Sequence, residues 1–528
     1  MKVEFNTNRK IILCLFIFFV LLLPFIYLRD LNALNELKYL NIAQDALNRG
    51  TFFTFFENGV PYADKPPLYL WWCMAALEFF PEHTSFFILL ISLISSLLTV
   101  YILDLFFGEG LSEQNRVFLA IGVFSSLFWV CGALLARMDM LFTFFTLWAF
   151  GLILKRAKEV ITYGESAYGN FLIPFIIFLG IFTKGPYALL FPLVALFIAL
   201  VFFKQQKLFF KIFRPSFFFI ILLCVIVWLF GVLYEGGYAY AQNLFIAQSA
   251  KRLSGNLGHP RPFYYFGLHF WYLSLPISFF AFYGLLKLIR NIILNKVNAS
   301  NLRLEPVFAL SFSIAVFTVI SFPSSKLEIY ALPLIPTLFY FVGHFFSASS
   351  SIVRQLLFLG SLPSFFLLPI VILFKEEIPF YSEKIVISAA ICSLSTLASY
   401  FLLKKGSVFK WLATQGGIVG VFVFSLSFSL SDANPYIGVK DLVFALEKGN
   451  KAINGVCVLE IKNFYTMKLY NSRFAYSEIK ANDLFGSKCK NNHLLIGRKA
   501  LKQDPKLRDR LIKIGAQFSG DNMVLVRK

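Results

Sequence analysis

Carboxylates and basic side chains lie in separate polar stretches of the chain, between long apolar runs. A carboxylate can orient a substrate or accept its proton, and a lysine or arginine can hold an anion. A set of both kinds, drawn from several loops, is what an active site on a helical scaffold requires. The candidate side chains, which include one tyrosine, are Glu36, Asp64, Lys65, Arg137, Asp139, Lys184, Lys326 and Tyr330.

The composition indicates that the scaffold is a membrane protein. Of the 528 residues, 58% are hydrophobic and only 15% are charged, which is more apolar surface than a soluble fold can hide. The formal net charge of +20 does not indicate a nucleic-acid partner, because the basic residues lie in short loops where they set topology or meet lipid headgroups. The bilayer is therefore a predicted partner and nucleic acid is not.

About thirteen apolar runs have the length that a bilayer requires. The predicted spans are 11–28, 84–107, 116–134, 138–155, 170–183, 185–203, 215–234, 269–290, 306–322, 329–346, 354–374, 384–403 and 408–428. No small-residue cleavage site follows the first run, so we interpret it as an anchor rather than a signal peptide. The sequence thus predicts a polytopic all-α membrane domain over residues 1–429.

The loop charges predict how these spans are oriented. If 170–203 is split at Lys184-Gly185-Pro186, the strongly basic loops share one side with the N-terminus, and the positive-inside rule makes that side cytoplasmic. The large loops 29–83 and 235–268 then lie on the outer face, together with the candidate side chains.

Two helices are predicted within the first large loop. Apolar residues recur at helical spacing from Leu34 to Leu47, which indicates an amphipathic helix on the membrane surface that Gly50 would end. An aromatic helix follows from Pro66 to Phe80, and Asp64 could act as its cap.

Residues 430–528 are polar and predict a small α/β domain on the outer face. Strand-like runs cover 456–461, 494–496 and 523–526, and helical patterns cover 439–446 and 507–514. Cys457 and Cys489 lie in this segment and could pair if it is extracytoplasmic.

Five short motifs occur in a fixed order along the membrane part. They are Asn35-Glu36-Leu37-Lys38-Tyr39, the Asn-Gly-x-Pro-Tyr-x-Asp-Lys-Pro-Pro run at 58–67, Arg137-Met138-Asp139-Met140, Thr183-Lys184-Gly185-Pro186, and Ser325-Lys326-Leu327 with Tyr330 and Pro333. The set resembles the bacterial aminoarabinose–lipid A transferases, which belong to the protein O-mannosyltransferase-like (GT-C) class of membrane glycosyltransferases. The resemblance covers roughly residues 10–345.

The resemblance implies a bacterial inner-membrane enzyme that takes a sugar from a polyprenyl-phosphate donor. The acceptor would be lipid A, lipopolysaccharide or another glycolipid on the periplasmic face, with protein as second choice. A departing lipid phosphate needs fixed cations, and the groups that would hold it are Lys65, Arg137, Lys184, Lys326 and Tyr330. The catalytic carboxylates would be Glu36, Asp64 and Asp139.

One position departs from the family pattern. Relatives carry an acidic residue where this chain has Asn35, and an asparagine cannot act as a general base. Either Glu36 or Asp64 takes that role, or the acceptor is already anionic and needs no deprotonation.

The resemblance also implies a divalent, zinc-like metal site. In the aminoarabinose transferases an acidic residue at the position of Asp64 and a histidine in a later loop help to bind the ion, and His259 is the counterpart here. One carboxylate and one imidazole are fewer protein ligands than zinc sites usually have.

Other interpretations remain open at this point. A transporter or flippase for a lipid-linked glycan would place polar residues along a path inside the membrane, and a scaffold protein would use 430–528 as a binding module. Each candidate side chain also has a structural interpretation, such as an interfacial ion pair for Arg137 with Asp139 or a lysine that snorkels to the headgroups.

Overall fold

The computed structural model describes residues 2–247, 260–294, 302–345, 351–405, 407–449, 452–486 and 489–526. Helices dominate the membrane part. The first eleven are α1 Lys2–Leu28, α2 Glu36–Arg49, α3 Leu68–Phe79, α4 Thr84–Phe107, α5 Glu113–Gly122, α6 Leu127–Ala133, α7 Met138–Tyr163, α8 Leu172–Lys184, α9 Tyr187–Phe202, α10 Phe209–Ile212 and α11 Pro215–Gln242.

The later helices run into a small mixed sheet. They are α12 Tyr265–Leu273, α13 Ser278–Ile293, α14 Leu304–Ser321, α15 Leu334–Phe345, α16 Ser351–Phe365, α17 Leu367–Leu373, α18 Glu383–Lys405, α19 Val408–Leu426, α20 Leu430–Ile437, α21 Lys440–Glu447, α22 Arg498–Gln503 and α23 Pro505–Lys513. The strands are β1 Phe56–Glu57, β2 Val60–Pro61, β3 Gly455–Leu459, β4 Ala475–Glu478, β5 His493–Ile496, β6 Gln517–Ser519 and β7 Asn522–Leu525.

Each predicted span overlaps helical structure, but the spans 116–134, 269–290 and 354–374 each cover two helices, and the count of thirteen is not confirmed. Within the described ranges, eight helical stretches are long and apolar enough to cross a membrane, or up to ten if two bent pairs are each one span. The bends measure 78° between α5 and α6 and 115° between α12 and α13. Three predicted spans correspond to α8, α9 and α15, which are shorter than the ~20 residues that a bilayer crossing needs. Hydropathy measures apolar length and does not report where a helix breaks.

The sharp reversal between α8 and α9 places Lys184 at a helix end. Gly185 has φ +98° at the reversal, a backbone conformation that glycine adopts at little cost. A Cβ on Gly180 would lie 2.7 Å from the Cβ of Ala188, so the two helices approach closely only because position 180 carries no side chain.

The first loop contains the two helices that the sequence predicts, together with a hairpin that it did not predict. Helix α2 ends at Gly50, which is left-handed with φ +68°, and β1 pairs with β2 around a turn at Asn58 and Gly59, both with positive φ. Helix α3 has Pro67 at its N-cap and no side-chain cap. The predicted capping role of Asp64 is therefore wrong, which leaves its carboxylate for other contacts.

The end of α11 clamps the segment that leads into this hairpin. The Glu235 carboxylate accepts hydrogen bonds from the backbone N–H groups of Phe52, Phe53 and Thr54 at 2.7–3.1 Å. The Tyr240 hydroxyl accepts from the Phe55 N–H at 3.0 Å and donates to the Tyr62 carbonyl at 2.8 Å. These bonds satisfy backbone groups that a loop would otherwise leave to water.

The C-terminal sheet has the strand order β4-β3-β5-β7-β6. Strand β3 is parallel to β4 and to β5, and the β5–β7 and β7–β6 pairs are antiparallel. The predicted strands correspond to β3, β5 and β7; the sequence pattern missed the short strands β4 and β6. Cys457 of β3 is bonded to Cys489, with a Cα–Cα distance of 6.0 Å.

Asp30 lies where α1 meets the C-terminal region. Its backbone N–H donates to the Asn434 side-chain oxygen at 3.0 Å, and a Cβ on Gly438 would lie 2.8 Å from the Asp30 Cβ. Burial raises the pKa of the Asp30 carboxyl to about 6, although Lys440 lowers it in part.

We expect loss of the disulfide to loosen the C-terminal sheet. The bond closes a loop with a sequence separation of 32 residues, and restricting an unfolded chain in this way contributes about 3–4 kcal/mol in the chain-entropy model. The double variant Cys457→Ser/Cys489→Ser should unfold this region at lower temperature than wild type. A Cys14→Ser control, which changes a cysteine outside the sheet, should not. Equal unfolding temperatures for wild type and the double variant would contradict the prediction.

We also expect Asp30→Asn to stabilise the protein in a pH-dependent way. A carboxyl whose pKa is raised on folding holds its proton more tightly in the folded state, so stability is lost as the pH rises from ~4, the unfolded value, through 6. The gain in melting temperature should be complete above about pH 6.5 and vanish near pH 3. The same substitution at the exposed Asp509 is the control. A gain that does not change with pH would refute the raised pKa of Asp30 as its cause.

Candidate functional site

Glu36 connects three separate segments at the start of α2. One oxygen pairs with Arg29 at 2.6 Å and accepts the Ala136 N–H at 2.8 Å, and the other accepts the Asn32 N–H at 2.8 Å. The side chain is only 1% exposed. These contacts fix the turn before α7 against α2, which suits an orienting role; the predicted catalytic role of Glu36 stays a prediction.

Asp139 is shared between two cations. It lies in the first turn of α7, where its Oδ2 accepts from Arg137 Nε at 2.9 Å and its Oδ1 contacts Lys184 Nζ. The carboxylate is 2% exposed. Helix ends favour this arrangement, because Asp139 is at the positive end of α7 and Lys184 at the negative end of α8. The ion pair that the sequence suggested for Arg137 and Asp139 is therefore present, but its carboxylate is buried and is shared with Lys184.

Aromatic rings flank the ammonium group of Lys184. It lies 4.4 Å from the ring centroid of Tyr330 and 5.3 Å from that of Phe142, which is the range of cation–π attraction. Tyr330 lies in a short 3-10 turn, Glu328–Ala331, between α14 and α15. The structure thus brings together groups from three distant parts of the chain.

Asp64 and Lys65 reach the same cluster from the first loop. Asp64 Oδ2 accepts from Lys65 Nζ at 3.1 Å and from the Tyr62 hydroxyl at 3.3 Å. Lys65 lies near enough to Lys184 to repel its charge. The Asp64 side chain remains 32% exposed, so it is the most accessible carboxylate of the cluster.

Tyr39 is a site residue that sequence reasoning missed. Its side chain is 7% exposed, and it interacts electrostatically with Arg137, Asp139, Asp64 and Tyr330. Burial raises the pKa of its phenol, so the hydroxyl stays a neutral donor. The available signal was the helical spacing, because Tyr39 lies three residues after Glu36 and faces the same side of α2.

Lys326 is the predicted phosphate ligand that the contacts do not place in the cluster. Its ammonium donates to the Arg261 carbonyl at 3.3 Å and also contacts the Pro323 carbonyl, and it is 2% exposed. Burial lowers the pKa of Lys326. Backbone carbonyls therefore contact the Lys326 ammonium where a phosphate was predicted. The β-bridge between Pro260 and Ser325 holds the loop of Arg261 beside the loop of Lys326.

Of the two predicted metal ligands, the structure describes Asp64. His259 lies outside the described residues, so its part stays a prediction. In the ranges that are described, no group of three or more histidine, cysteine or acidic side chains could hold a metal ion. Asp64 Oδ2 already accepts from Lys65 and Tyr62, which is a poor starting point for a zinc ligand.

A cavity of about 650 Å³ adjoins the cluster at Arg137. Its polar wall carries Arg29, Asn35 and Glu328, and apolar side chains cover much of the rest. The complete lining is Phe25, Arg29, Asn32, Asn35, Glu36, Cys131, Leu134, Leu135, Arg137, Leu327, Glu328, Ile329, Tyr436 and Ile437. A molecule with a polar head and an apolar part would match this lining.

Solved structures, but no sequence comparison, show what the chain is similar to. No family model matches the sequence, and the curated protein sequences compared with it give no match either. The crystal structure of ArnT from Cupriavidus metallidurans bound to undecaprenyl phosphate is similar with a TM-score of 0.70 and 15% identity, over 97% of each chain. The apo structure of the same ArnT gives 0.68 and 15%, over 99% of this chain and 98% of that chain. The chain therefore has the polytopic membrane fold of ArnT, as the sequence motifs predicted.

Proposed function

We propose that this protein is an inner-membrane glycosyltransferase that moves a sugar from a polyprenyl-phosphate donor to an acceptor on the periplasmic face. The observation that most directly supports this proposal is the buried Asp139 carboxylate, which contacts both Arg137 and Lys184. Support comes from the ArnT fold, since one matching ArnT structure holds undecaprenyl phosphate. In this proposal residues 1–429 form the membrane domain and 430–528 a periplasmic α/β domain.

The charges of the cluster favour an anionic ligand. Arg137, Lys184 and Lys65 carry three positive charges, whereas Asp139 and Asp64 carry two negative ones. This set of five groups thus has one positive charge in excess, and burying unbalanced charge is costly. A phosphate would neutralise it, and the same cations would stabilise the phosphate as it leaves. Tyr330 would order the Lys184 ammonium.

The proposed reaction is one direct displacement with inversion at the anomeric carbon. The acceptor oxygen forms a bond to that carbon while the bond to the phosphate oxygen breaks, and the electron pair leaves with the polyprenyl phosphate. Asp64, the most exposed carboxylate, takes the acceptor proton. Asp139 orients the cations, because its two oxygens are already paired.

The acceptor would approach through the cavity beside Arg137. Its mixed lining fits a glycolipid such as lipid A or lipopolysaccharide, with protein as the second choice. The uncharged side chain of Asn35 also lines this cavity.

A transporter is the alternative from the sequence, and the helix ends argue against it. Asp139 lies in the first turn of α7, and Arg156 and Lys158 lie in its last third. At 1.5 Å per residue, Arg156 and Lys158 lie ~26–28 Å from Asp139 along the helix. Transport would instead favour charges near the middle of the membrane.

Neutralising one cation of the cluster should weaken phosphate binding. We expect Lys65→Met to lower the affinity for undecaprenyl phosphate about 100-fold, because a fixed charge is lost from a partly buried site. Lys184→Met should act in the same direction, but it strips the buried Asp139 of a partner and requires a check of folding by melting temperature.

The control for this prediction is Lys207→Met, the same change at an exposed lysine outside the cluster. Binding should be measured in lipid nanodiscs. Unchanged affinity in Lys65→Met, with wild-type melting temperature, would reject the proposed donor site.

Two carboxylate variants separate the open assignments of the base. Asp64→Asn should lower kcat by about 10²–10³-fold, as removal of a general base does, with little change in melting temperature. Glu36→Gln should lower the melting temperature, because the buried pair with Arg29 is weakened, while the folded fraction keeps kcat within about tenfold.

The assay uses undecaprenyl-phosphate-linked aminoarabinose or hexose with lipid A in proteoliposomes. The reverse pattern would make Glu36 the base. A wild-type kcat in both variants would instead indicate an acceptor that needs no deprotonation.

A further inference from the structure

The C-terminal region packs directly on the loop that carries Asp64 and Lys65. A 3-10 helix, Phe464–Leu469, follows β3 and lies against α2. Just before it, the Asn463 side-chain amide donates to the Ala33 and Leu34 carbonyls, both at 3.2 Å. These carbonyls immediately precede α2, so the contact joins the small sheet to the start of that helix.

One tyrosine of this 3-10 helix reaches the hairpin. The Tyr465 hydroxyl donates to Glu57 Oε1 at 2.6 Å, and Glu57 Oε2 pairs with Lys38 Nζ at 2.9 Å. A hydrogen bond to a carboxylate is about twice as strong as one between neutral groups. Glu57 is the last residue of β1, so the hairpin is bound from both the C-terminal region and α2.

The contacts continue from Lys38 to the candidate base. The Lys38 ammonium lies 5.0 Å from the centroid of the Tyr62 ring, and the Tyr62 hydroxyl donates to Asp64 Oδ2 at 3.3 Å. Lys65 pairs with the same oxygen at 3.1 Å. An unbroken series of contacts therefore runs from Tyr465 to the Asp64–Lys65 pair.

The hairpin needs such external support. Its two strands contain two residues each, and an isolated hairpin is marginally stable in water even when it is longer. Glu235 of α11 holds its entrance at residues 52–54. Tyr465 holds its far end, where the chain turns back toward Asp64.

We propose that Tyr465 is a positioning residue, through which the C-terminal region holds Asp64 and Lys65 in the geometry that binds the donor phosphate. The part that concerns the phosphate rests on the proposed function. Tyr465 touches neither substrate nor the reacting atoms; it acts through Glu57 and Lys38. In this proposal the C-terminal region contributes to the site by positioning its residues.

The first test measures the hairpin itself and needs no activity. Hydrogen exchange of residues 56–65 is compared in wild type, Tyr465→Phe and Tyr476→Phe, all as full chains in nanodiscs. Tyr476 is the matched control, because it lies in strand β4 of the C-terminal region and its buried hydroxyl has no hydrogen-bond partner in the described parts of the chain. Exchange at 56–65 should rise about tenfold in Tyr465→Phe only. Asn463 keeps the region docked, so the melting temperature should hardly move.

The second test measures the consequence at the site with undecaprenyl phosphate as the probe. Its affinity should fall about threefold to tenfold in Tyr465→Phe and stay at the wild-type value in Tyr476→Phe. The double variant Tyr465→Phe/Glu57→Leu should bind no more weakly than Glu57→Leu alone, because leucine already removes the acceptor of the Tyr465 hydroxyl.

The two tests separate this inference from the proposed function. Equal exchange at 56–65 in Tyr465→Phe and Tyr476→Phe would overturn the positioning role, whatever the protein binds. If exchange is faster in Tyr465→Phe but the wild-type protein binds no undecaprenyl phosphate, the positioning role of Tyr465 is supported and the proposed donor site is refuted.

Discussion

A single buried carboxylate between two cations is the interaction on which the site depends. Each of the three charges costs several kcal/mol to remove from water, and Asp139 compensates for this only while Arg137 and Lys184 stay within contact. The cations in turn would repel one another without it. The separation of the two cations is therefore set by one side chain.

Helix ends make this arrangement tolerable in a membrane protein. Asp139 and Glu36 lie in the first turns of α7 and α2, and Lys184 is the last residue of α8, so each charge faces the helix end that favours it. The reversal at Gly185 and the close approach of α8 to α9 keep Lys184 at the end of α8.

The loop that completes the cluster has little stability of its own. Backbone groups at its start bind Glu235, and its hairpin contacts Tyr465 and Lys38. Two regions far apart in sequence thus hold a short segment that carries the most exposed carboxylate. Such external bracing allows a loop to present charged groups with the precision that catalysis requires.

The sequence by itself determined the class of protein, the positions of the helices and the order of the motifs, because apolar length and turn residues are local properties. It did not determine that α8, α9 and α15 are short, that β4 and β6 exist, or that Lys326 binds carbonyls. It also left Tyr39, Glu235 and Tyr465 unrecognised. Those features depend on contacts between residues far apart in the chain, such as Asp139 with Lys184 or Tyr465 with Glu57. Only helix packing decides such distances, since side-chain periodicity specifies which face is buried and not what it meets.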